Sequence, residues 1–228
     1  MPSPTPALPG DVHLRLDHVT KRFGETAAVD DVSFDVPRGS FATLLGPSGC
    51  GKTTTLRMIA GFYDPDHGDI VLGGKRINEL PAHRRGTAMV FQDYALFPHM
   101  TVHDNVAYGL RVAGVASQER ERRVSETLEF VGLSKLGDRW PNQLSGGQQQ
   151  RVAVARALAG KPAILLADEP TGNLDSRNGE AVMNLLKELH AGGATICMVT
   201  HDERFAQHAD RTVHLFDGRV VEDSRIAA

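Results

Sequence analysis

The amino-acid sequence predicts an α/β fold, because strand-like and helix-like runs follow one another in a definite order. Strand-like runs come first, a glycine-rich loop follows the third of them, a helical segment occupies the middle, and strands and helices then alternate. With 228 residues, of which 41% are hydrophobic, the chain can bury a substantial core. We therefore expect one large domain, or one domain with an inserted subdomain.

The first part of the chain contains three predicted strands and one helix. Residues 12–16 and 32–36 alternate apolar and polar side chains, which is typical of half-buried strands. Residues 40–45 form a more continuous apolar run that ends before a glycine, as a buried parallel strand does. Residues 53–59 contain no helix breaker and are predicted to form a helix.

The second part of the chain is predicted to be helical at first and then to alternate. Apolar residues recur every three or four positions in residues 117–131, and the charged residues between them are expected to form a solvated helix surface rather than a binding patch. Residues 163–167 and 195–199 suit buried strands, and residues 182–189 form an amphipathic helix between them. Polar residues follow both strands, at the edge where α/β sheets bind their ligands.

The composition narrows the class of protein. A formal net charge of −3 argues against a protein that coats nucleic acid. Cys50 and Cys197 are not paired as metal ligands are, which favours two reduced thiols. The chain contains no run of about 18 apolar residues, so no membrane span is predicted. Residues 1–11 are rich in proline and lack the features of a secretion signal, so we expect a disordered leader before a single domain at residues 12–228.

The glycine-rich loop predicts a nucleotide site. It satisfies the pattern G-x-x-x-x-G-K-[ST] between a predicted strand and a predicted helix. Glycines let successive N–H groups turn toward an anion, and the helix adds the positive end of its dipole. Lys52 supplies a mobile charge for the phosphates, and Thr53 can ligate Mg²⁺. The loop alone leaves kinases, GTPases and motor ATPases open. We expect ATP to contact Gly46, Pro47, Ser48, Gly49, Cys50, Gly51, Lys52, Thr53 and Thr54.

Two carboxylates follow the predicted strand at residues 163–167. Asp168 is placed to hold Mg²⁺, directly or through water. Glu169 is the candidate general base that polarises the attacking water. Side chains alternate along a strand, so we expect the two carboxylates to have different partners. Together with the phosphate loop, this pair predicts hydrolysis.

A second anion site is predicted at residues 144–148, where a flexible Ser-Gly-Gly turn opens a helix rich in alanine and arginine. One nucleotide requires only one phosphate cradle. The second phosphate-ready helix end therefore suggests that two chains share each ATP.

These residues resemble the ATP-binding subunits of ABC transporters over residues 12–223, and the Leu-Ser-Gly-Gly-Gln run is similar to the signature motif of that family. The resemblance implies that Phe23 stacks on adenine, that Gln92 senses Mg²⁺ and a transmembrane partner, and that His201 contacts the γ-phosphate. Lys52, Gln92, Glu169 and His201 are the implied catalytic residues, and Thr53, Gln92 and Asp168 the implied metal ligands. The residues implied to contact ATP on a partner chain are Leu144, Ser145, Gly146, Gly147, Gln148 and Asp175.

The resemblance also implies an architecture and partners. The expected fold is a phosphate-loop NTPase core with a mixed sheet, an N-terminal antiparallel β-subdomain and an α-helical subdomain inserted at about residues 93–160. The cofactors are ATP and Mg²⁺. The partners are a second copy, in a homodimer or pseudo-dimer formed through ATP, and transmembrane permease subunits, with no nucleic acid. The implied location is the cytoplasmic side of the inner membrane, as a peripheral subunit.

The two halves of the chain resemble different branches of this family. Residues 91–102 are similar to polyamine, iron and sugar importer ATPases, whereas the sequence from Asp168 onward is similar to lipoprotein-release and macrolide-efflux ATPases. The importer branch usually appends a regulatory β-domain, for which we expect no counterpart here. A recombined or engineered chimera and a natural ATPase of mixed character both fit this pattern. Direction and cargo remain open.

Two other functions remain open beside transport. ABC ATPases that act on DNA or ribosomes usually carry two such domains or a long coiled coil, and this chain has neither feature. A regulatory ATPase, whose dimer closure moves a membrane protein without moving cargo, would have the same motor residues.

Overall fold

The structure is a computed structural model that describes residues Val12–Arg225. The predicted disordered leader, residues 1–11, lies outside the described residues. Within them the chain forms ten strands and six α-helices. The strands are β1 (Val12–Phe23), β2 (Thr26–Pro37), β3 (Phe41–Leu45), β4 (His67–Leu72), β5 (Lys75–Arg76), β6 (Thr87–Val90), β7 (Ile164–Asp168), β8 (Ile196–Thr200), β9 (Arg211–Phe216) and β10 (Arg219–Arg225). The helices are α1 (Lys52–Ala60), α2 (Val102–Val112), α3 (Ser117–Phe130), α4 (Gly146–Ala159), α5 (Ser176–Ala191) and α6 (Glu203–Ala206).

The strands form two sheets. One sheet is antiparallel and has the order β2-β1-β4-β5. The other has the order β10-β9-β3-β8-β7-β6, in which β9 to β6 run parallel and β10 pairs antiparallel with β9. The second sheet is therefore mixed, and the α/β fold class predicted from the sequence is confirmed.

The central strands are buried on both faces, which explains why they read as continuous apolar runs. In β7, Ile164 and Leu166 pack in one hydrophobic cluster while Leu165 and Ala167 pack in another. The first cluster joins the mixed sheet to α1 and the antiparallel sheet, and the second joins it to α2, α3, α4 and α5. Because side chains alternate along a strand, one strand serves two cores.

Between β6 and β7 the described chain contains helices and no strand. Helices α2, α3 and α4 pack on one another there, and α4 also contacts α5 and β6. On the outer surface of α3, Arg122 and Arg123 lie 2.8 Å and 2.7 Å from carboxylate oxygens of Glu119. These hydrogen bonds lower the pKa of Glu119 to about 2. The charged residues of this exposed surface thus pair mainly with one another.

The structure corrects the sequence predictions in several places. Strand β1 continues to Phe23 rather than ending at residue 16, because register shifts let it stay paired with β2. The predicted flexible turn at residues 145–147 is the ordered start of α4, with Ser145 as its N-cap. The elements that were not predicted individually are α2, α6, β4, β5, β6, β9 and β10, of which α2 falls within the α-helical subdomain expected at about residues 93–160.

Candidate functional site

The loop between β3 and α1 is a tight curl that permits little besides glycine at three positions. Gly49 and Gly51 adopt φ values of 81° and 98°, in the left-handed region that L side chains rarely occupy. A Cβ on Gly46 would lie 2.1 Å from the carbonyl oxygen of Leu215, and one on Gly51 would lie 2.3 Å from that of Ala28. The loop is therefore packed between β9 and the start of β2.

The sequence suggested that Lys52 is a mobile charge, but in the structure its side chain is held inside this loop. Its side chain is only 4% exposed, and Nζ donates hydrogen bonds to the carbonyl oxygens of Gly46 at 2.7 Å and Pro47 at 2.8 Å. Cys50 is buried, with Sγ 3.8 Å from Nζ. A positive charge thus lies at the centre of a loop that opens helix α1, which is the arrangement that favours a phosphate.

A cavity of about 270 Å³ lies beside the loop. It opens between the phosphate loop, the start of β2 and the residue that follows β7. Its lining consists of Ala28, Ser48, Gly49, Gly51, Lys52, Thr53, Thr54 and Glu169. The structure therefore brings six of the nine predicted phosphate-loop residues and the predicted general base to one place, whereas Gly46, Pro47 and Cys50 do not line the cavity.

Asp168 is the last residue of β7 and faces the first turn of α1. Its Oδ1 accepts a hydrogen bond of 2.8 Å from the Thr53 hydroxyl, and its Oδ2 lies 3.8 Å from Nη2 of Arg57. The side chain is buried, and this burial raises the pKa of Asp168 above its usual value, although the bond from Thr53 and the charge of Arg57 lower it. The two residues predicted to share a metal are thus in direct contact.

Glu169 lies just beyond the end of β7, in a left-handed backbone conformation with φ 44°. Its carboxylate oxygen Oε2 lies 2.9 Å from Nδ1 of His201. The two acidic residues do have different partners, but strand alternation is not the reason, since Glu169 is outside the strand. A strained backbone at a candidate catalytic residue is typical of functional sites.

Gln92 follows β6 and borders a second cavity of about 530 Å³, which Asp168 also lines. Its carbonyl oxygen accepts a 2.9 Å hydrogen bond from Nδ2 of Asn173, which holds the backbone at this position. Thr53, Arg57 and Asp168 line the same cavity. Sequence reasoning missed Arg57, although its spacing of four residues from Thr53 on one helix places both side chains on the same face.

Residues 144–148 form the N-terminus of α4. Ser145 Oγ accepts the backbone N–H of Gln148 at 3.3 Å, and Gln148 Oε1 accepts the N–H of Ser145 at 3.0 Å, so the two residues form a reciprocal cap. Leu144 is buried, and Gly147 leaves room for Asn178, whose Oδ1 would lie 2.3 Å from an added Cβ. None of residues 144–148 lines either cavity beside the phosphate loop.

Two further predicted site residues lie outside the cavity beside the phosphate loop, and one of them, Asp175, lines a separate pocket with Glu169 and His201. Asp175 caps α5, accepting the backbone N–H of Asn178 at 2.9 Å, and this hydrogen bond contributes most to lowering the pKa of Asp175. Phe23 is 48% exposed, with its ring packed edge-on against Tyr63 at a centroid distance of 5.3 Å. Neither residue lines the cavity beside the phosphate loop.

Within residues Val12–Arg225 no cluster of three or more His, Cys, Asp or Glu side chains could hold a metal ion. The Thr53 hydroxyl and the Asp168 carboxylate nevertheless form the hard oxygen pair that Mg²⁺ binds when a substrate's phosphates supply the remaining ligands. The residues therefore fit a magnesium ion that arrives with a nucleotide. Over the same range, no helix combines the length and apolar character that crossing a membrane requires.

The fold and this site define a nucleotide-binding cassette, and comparison with known proteins gives the family. Residues 29–172 match the profile of the ABC transporter family, and the chain belongs to that family. It is 52% identical over 211 residues to the spermidine/putrescine import ATP-binding protein PotA of Rubrobacter xylanophilus, covering 92% of this chain and 56% of that protein. It is 49% identical over 221 residues to the Fe(3+) ions import ATP-binding protein FbpC 1 of Rhizobium meliloti, covering 96% and 62%.

Solved structures support the same assignment. The dimeric post-hydrolysis structure of the ATP-binding cassette MJ0796 with ADP and Pi matches with a TM-score of 0.84 and 37% identity, over 94% of this chain and 99% of that one. A nucleotide-free cassette from an ABC transporter matches with a TM-score of 0.85 and 28% identity, over 95% and 92%. The chain thus spans 99% of a solved cassette, but only 56% and 62% of the two import proteins.

Proposed function

We propose that this chain is the ATP-hydrolysing motor subunit of an ABC transporter. In this proposal it dimerises head to tail around two Mg·ATP and drives substrate movement through associated membrane subunits. The observation that carries the proposal is the pair of contacts beside the phosphate loop, Thr53 with Asp168 and Glu169 with His201. One contact provides a metal-binding edge, and the other provides a carboxylate held in place by a histidine.

The residues divide the chemistry among them. Lys52 and the loop N–H groups bind the phosphates of ATP, and Phe23 stacks on its adenine. Thr53 and Asp168, with Gln92 nearby, would hold a magnesium ion, which would neutralise phosphate charge. Glu169 accepts a proton from the attacking water, and His201 orients that carboxylate. The cavity beside the loop is lined by Glu169 as well as by Lys52 and Thr53, so base and phosphates meet in one space.

The site is completed by a second chain. The capped N-terminus of α4 presents Ser145, Gly146, Gly147 and Gln148, with Leu144 buried behind them. A capped helix N-terminus binds an anion through its backbone N–H groups and its dipole. This one lies outside its own chain's phosphate cavity, as does Asp175. In this proposal both serve the ATP on the partner's phosphate loop.

The partner that receives the motion is a membrane-embedded permease subunit, with the chain on the cytoplasmic side of the inner membrane. The surface that would receive it lies beside Gln92, where Phe62 is 54% exposed and packs against Phe91 at a ring-centroid distance of 6.0 Å. Proteins named for polyamine and for ferric ion import are about equally similar to this chain, at 52% and 49% identity. We infer that the work is import and that other subunits select the cargo.

Glu169→Gln tests the assignment of the general base. The variant should bind ATP as the parent does, form an ATP-dependent dimer on size-exclusion chromatography, and hydrolyse ATP at least ~100-fold more slowly, since positioned bases contribute about that much. Lys52→Ala should instead weaken ATP binding itself. Glu188→Gln, an exposed substitution on α5, is the matched control. Parent-like hydrolysis by Glu169→Gln would show that another group is the base.

Mixing two inactive variants tests the shared site. Lys52→Ala lacks the phosphate lysine, and Ser145→Arg blocks the start of α4. A mixed dimer contains one site with both defects and one intact site, so an equimolar mixture should recover about one quarter of the parent activity by random pairing. Because each variant alone should be inactive, recovery requires sites built from two chains. A mixture that stays inactive, although both variants fold and dimerise, would refute the shared site.

A further inference from the structure

The loop that follows Gln92 has an unusual backbone. Tyr94 and Ala95 adopt φ values of 63° and 46°, two consecutive non-glycine residues in the left-handed region. Side chains with a Cβ disfavour this region, so such a pair persists only where its surroundings hold it. Local hydrogen bonds contribute, since the Tyr94 N–H donates to Phe91 O at 3.3 Å and the Ala95 N–H donates to Asp93 O at 2.7 Å.

Helix α4 supplies the stronger restraint through Arg156. One guanidinium donates to both carbonyl oxygens of the strained pair, from Nη2 to Tyr94 O at 3.0 Å and from Nη1 to Ala95 O. The guanidinium carbon also lies 5.7 Å from the centroid of the Phe97 ring. A planar guanidinium with two parallel donors fits two adjacent acceptors in a way that a lysine ammonium does not.

The Tyr94 side chain contacts two other parts of the site, namely Asn173 after β7 and Gly146 at the start of α4. Its hydroxyl lies 3.4 Å from the carbonyl oxygen of Asn173, and it packs so close to Gly146 that an added Cβ there would lie 2.9 Å from the oxygen. Asn173 in turn donates from Nδ2 to Gln92 O at 2.9 Å. Tyr94 therefore lies between the start of α4 and the segment that follows β7.

We propose that Arg156 is a positioning residue that holds Tyr94 and Ala95 in the left-handed conformation. In that conformation Gln92 borders the cavity it shares with Thr53 and Asp168, and the start of α4 is held in register with it. Arg156 itself lines neither cavity beside the phosphate loop, so it acts through the backbone it binds. The inference rests on the proposed function for its catalytic readout, but the restraint on the loop does not depend on it.

Arg156→Met in the full chain is the test, with Arg151→Met as the matched control. Arg151 is on the same helix, but its Nη1 contacts Val131 O at 3.3 Å, away from Gln92. We expect kcat to fall about tenfold in Arg156→Met, because the left-handed conformation of a single residue is disfavoured by about tenfold when nothing holds it. The ATP dissociation constant should change less than twofold. Amide hydrogen exchange at Tyr94 and Ala95 should accelerate, independently of ATP turnover.

Rescue distinguishes positioning from general stability. Glycine occupies the left-handed region freely, so adding Ala95→Gly to Arg156→Met should restore kcat by about fivefold. A loss of kcat without such rescue, or an unchanged kcat, would overturn the proposal. Should Arg156→Met fail to fold, Arg156→Lys carries the same comparison, with a smaller loss and the same rescue.

Failure of the proposed function gives a different pattern of results. If the parent chain does not hydrolyse ATP, the amide exchange rates still show whether Arg156 holds Tyr94 and Ala95 in the left-handed conformation. Equal amide exchange rates at Tyr94 and Ala95 in Arg156→Met and in the parent would refute the positioning role of Arg156.

Discussion

Gly51→Ala offers a quantitative test of how the phosphate loop is built. Gly51 precedes α1, with φ 98°, and its carbonyl oxygen accepts the Thr55 N–H at 2.9 Å. A Cβ at this position would lie 2.3 Å from the carbonyl oxygen of Ala28, on strand β2. Gly49 is the matched comparison, because it is also left-handed, with φ 81°, but has no atom within 4 Å of an added Cβ.

The two glycines should therefore respond differently to the same substitution. Each alanine pays the left-handed penalty, about 1–2 kcal/mol. Gly51→Ala must in addition separate two backbone segments by about 0.7 Å, the difference between the 2.3 Å contact and the 3.0 Å below which Cβ contacts essentially never occur. Neither backbone can give way as a flexible side chain would, and forced overpacking adds about 1–3 kcal/mol. The total expected is about 2–5 kcal/mol for Gly51→Ala, against about 1–2 kcal/mol for Gly49→Ala.

Urea unfolding without nucleotide measures both values, provided that the slope of the transition is the same in the two variants. ATP titration of the folded variants should show the larger loss of affinity in Gly51→Ala, because the displaced segment begins the helix that carries Lys52 and Thr53. Equal destabilisation by the two alanines would refute the reasoning. It would show that the close approach to Ala28 does not restrict this position.

Two further predictions concern buried charges. Arg85 is buried and donates hydrogen bonds to four carbonyl oxygens. Arg85→Met leaves these oxygens without this donor and should lower the free energy of unfolding by about 3–5 kcal/mol in urea titrations. A loss below about 1 kcal/mol would contradict this. Burial raises the pKa of Asp168, so its ionised form destabilises the folded protein at neutral pH. Asp168→Asn should therefore be more stable than the parent at pH 7, and the gain should begin to shrink as the pH falls through the raised folded-state pKa and vanish below the unfolded-state pKa. A gain that does not change with pH would contradict this cause.

The local elements that the sequence predicted share a strong pattern. Strands β3, β7 and β8 were recognisable because each is buried on both faces and is therefore apolar throughout. Strands β9 and β10 were not predicted: β9 alternates in burial, a strand signal that was not used, and β10 is mostly polar and depends on its pairing with β9. Helix α2 begins with Thr101 capping the N–H of Asp104, a signal that was present in the sequence but was not used.

The order of the motifs likewise identified the family from the sequence. The two import proteins match this chain over 92% and 96% of its length, which includes both the half that resembles importers and the half that resembles efflux ATPases. Spacing could not show Arg57 beside Asp168, Asn173 beneath Gln92, or Arg156 on the loop after β6. Each of these contacts joins residues that are distant in the sequence. They arise only when α1 packs on β7, β6 and β7 lie side by side, and α4 packs against the loop after β6.

The sequence by itself determined the phosphate loop, the acidic pair and the helix that starts after Ser145, because each depends on local backbone geometry and on residue types a few positions apart. The tertiary structure decided that Glu169 bonds to His201, that Lys52 is enclosed by its own loop, and that Arg156 holds the segment after Gln92. Parallel strands that end at one edge of a sheet bring such residues together from distant parts of the chain. No local pattern records which side chains will meet there.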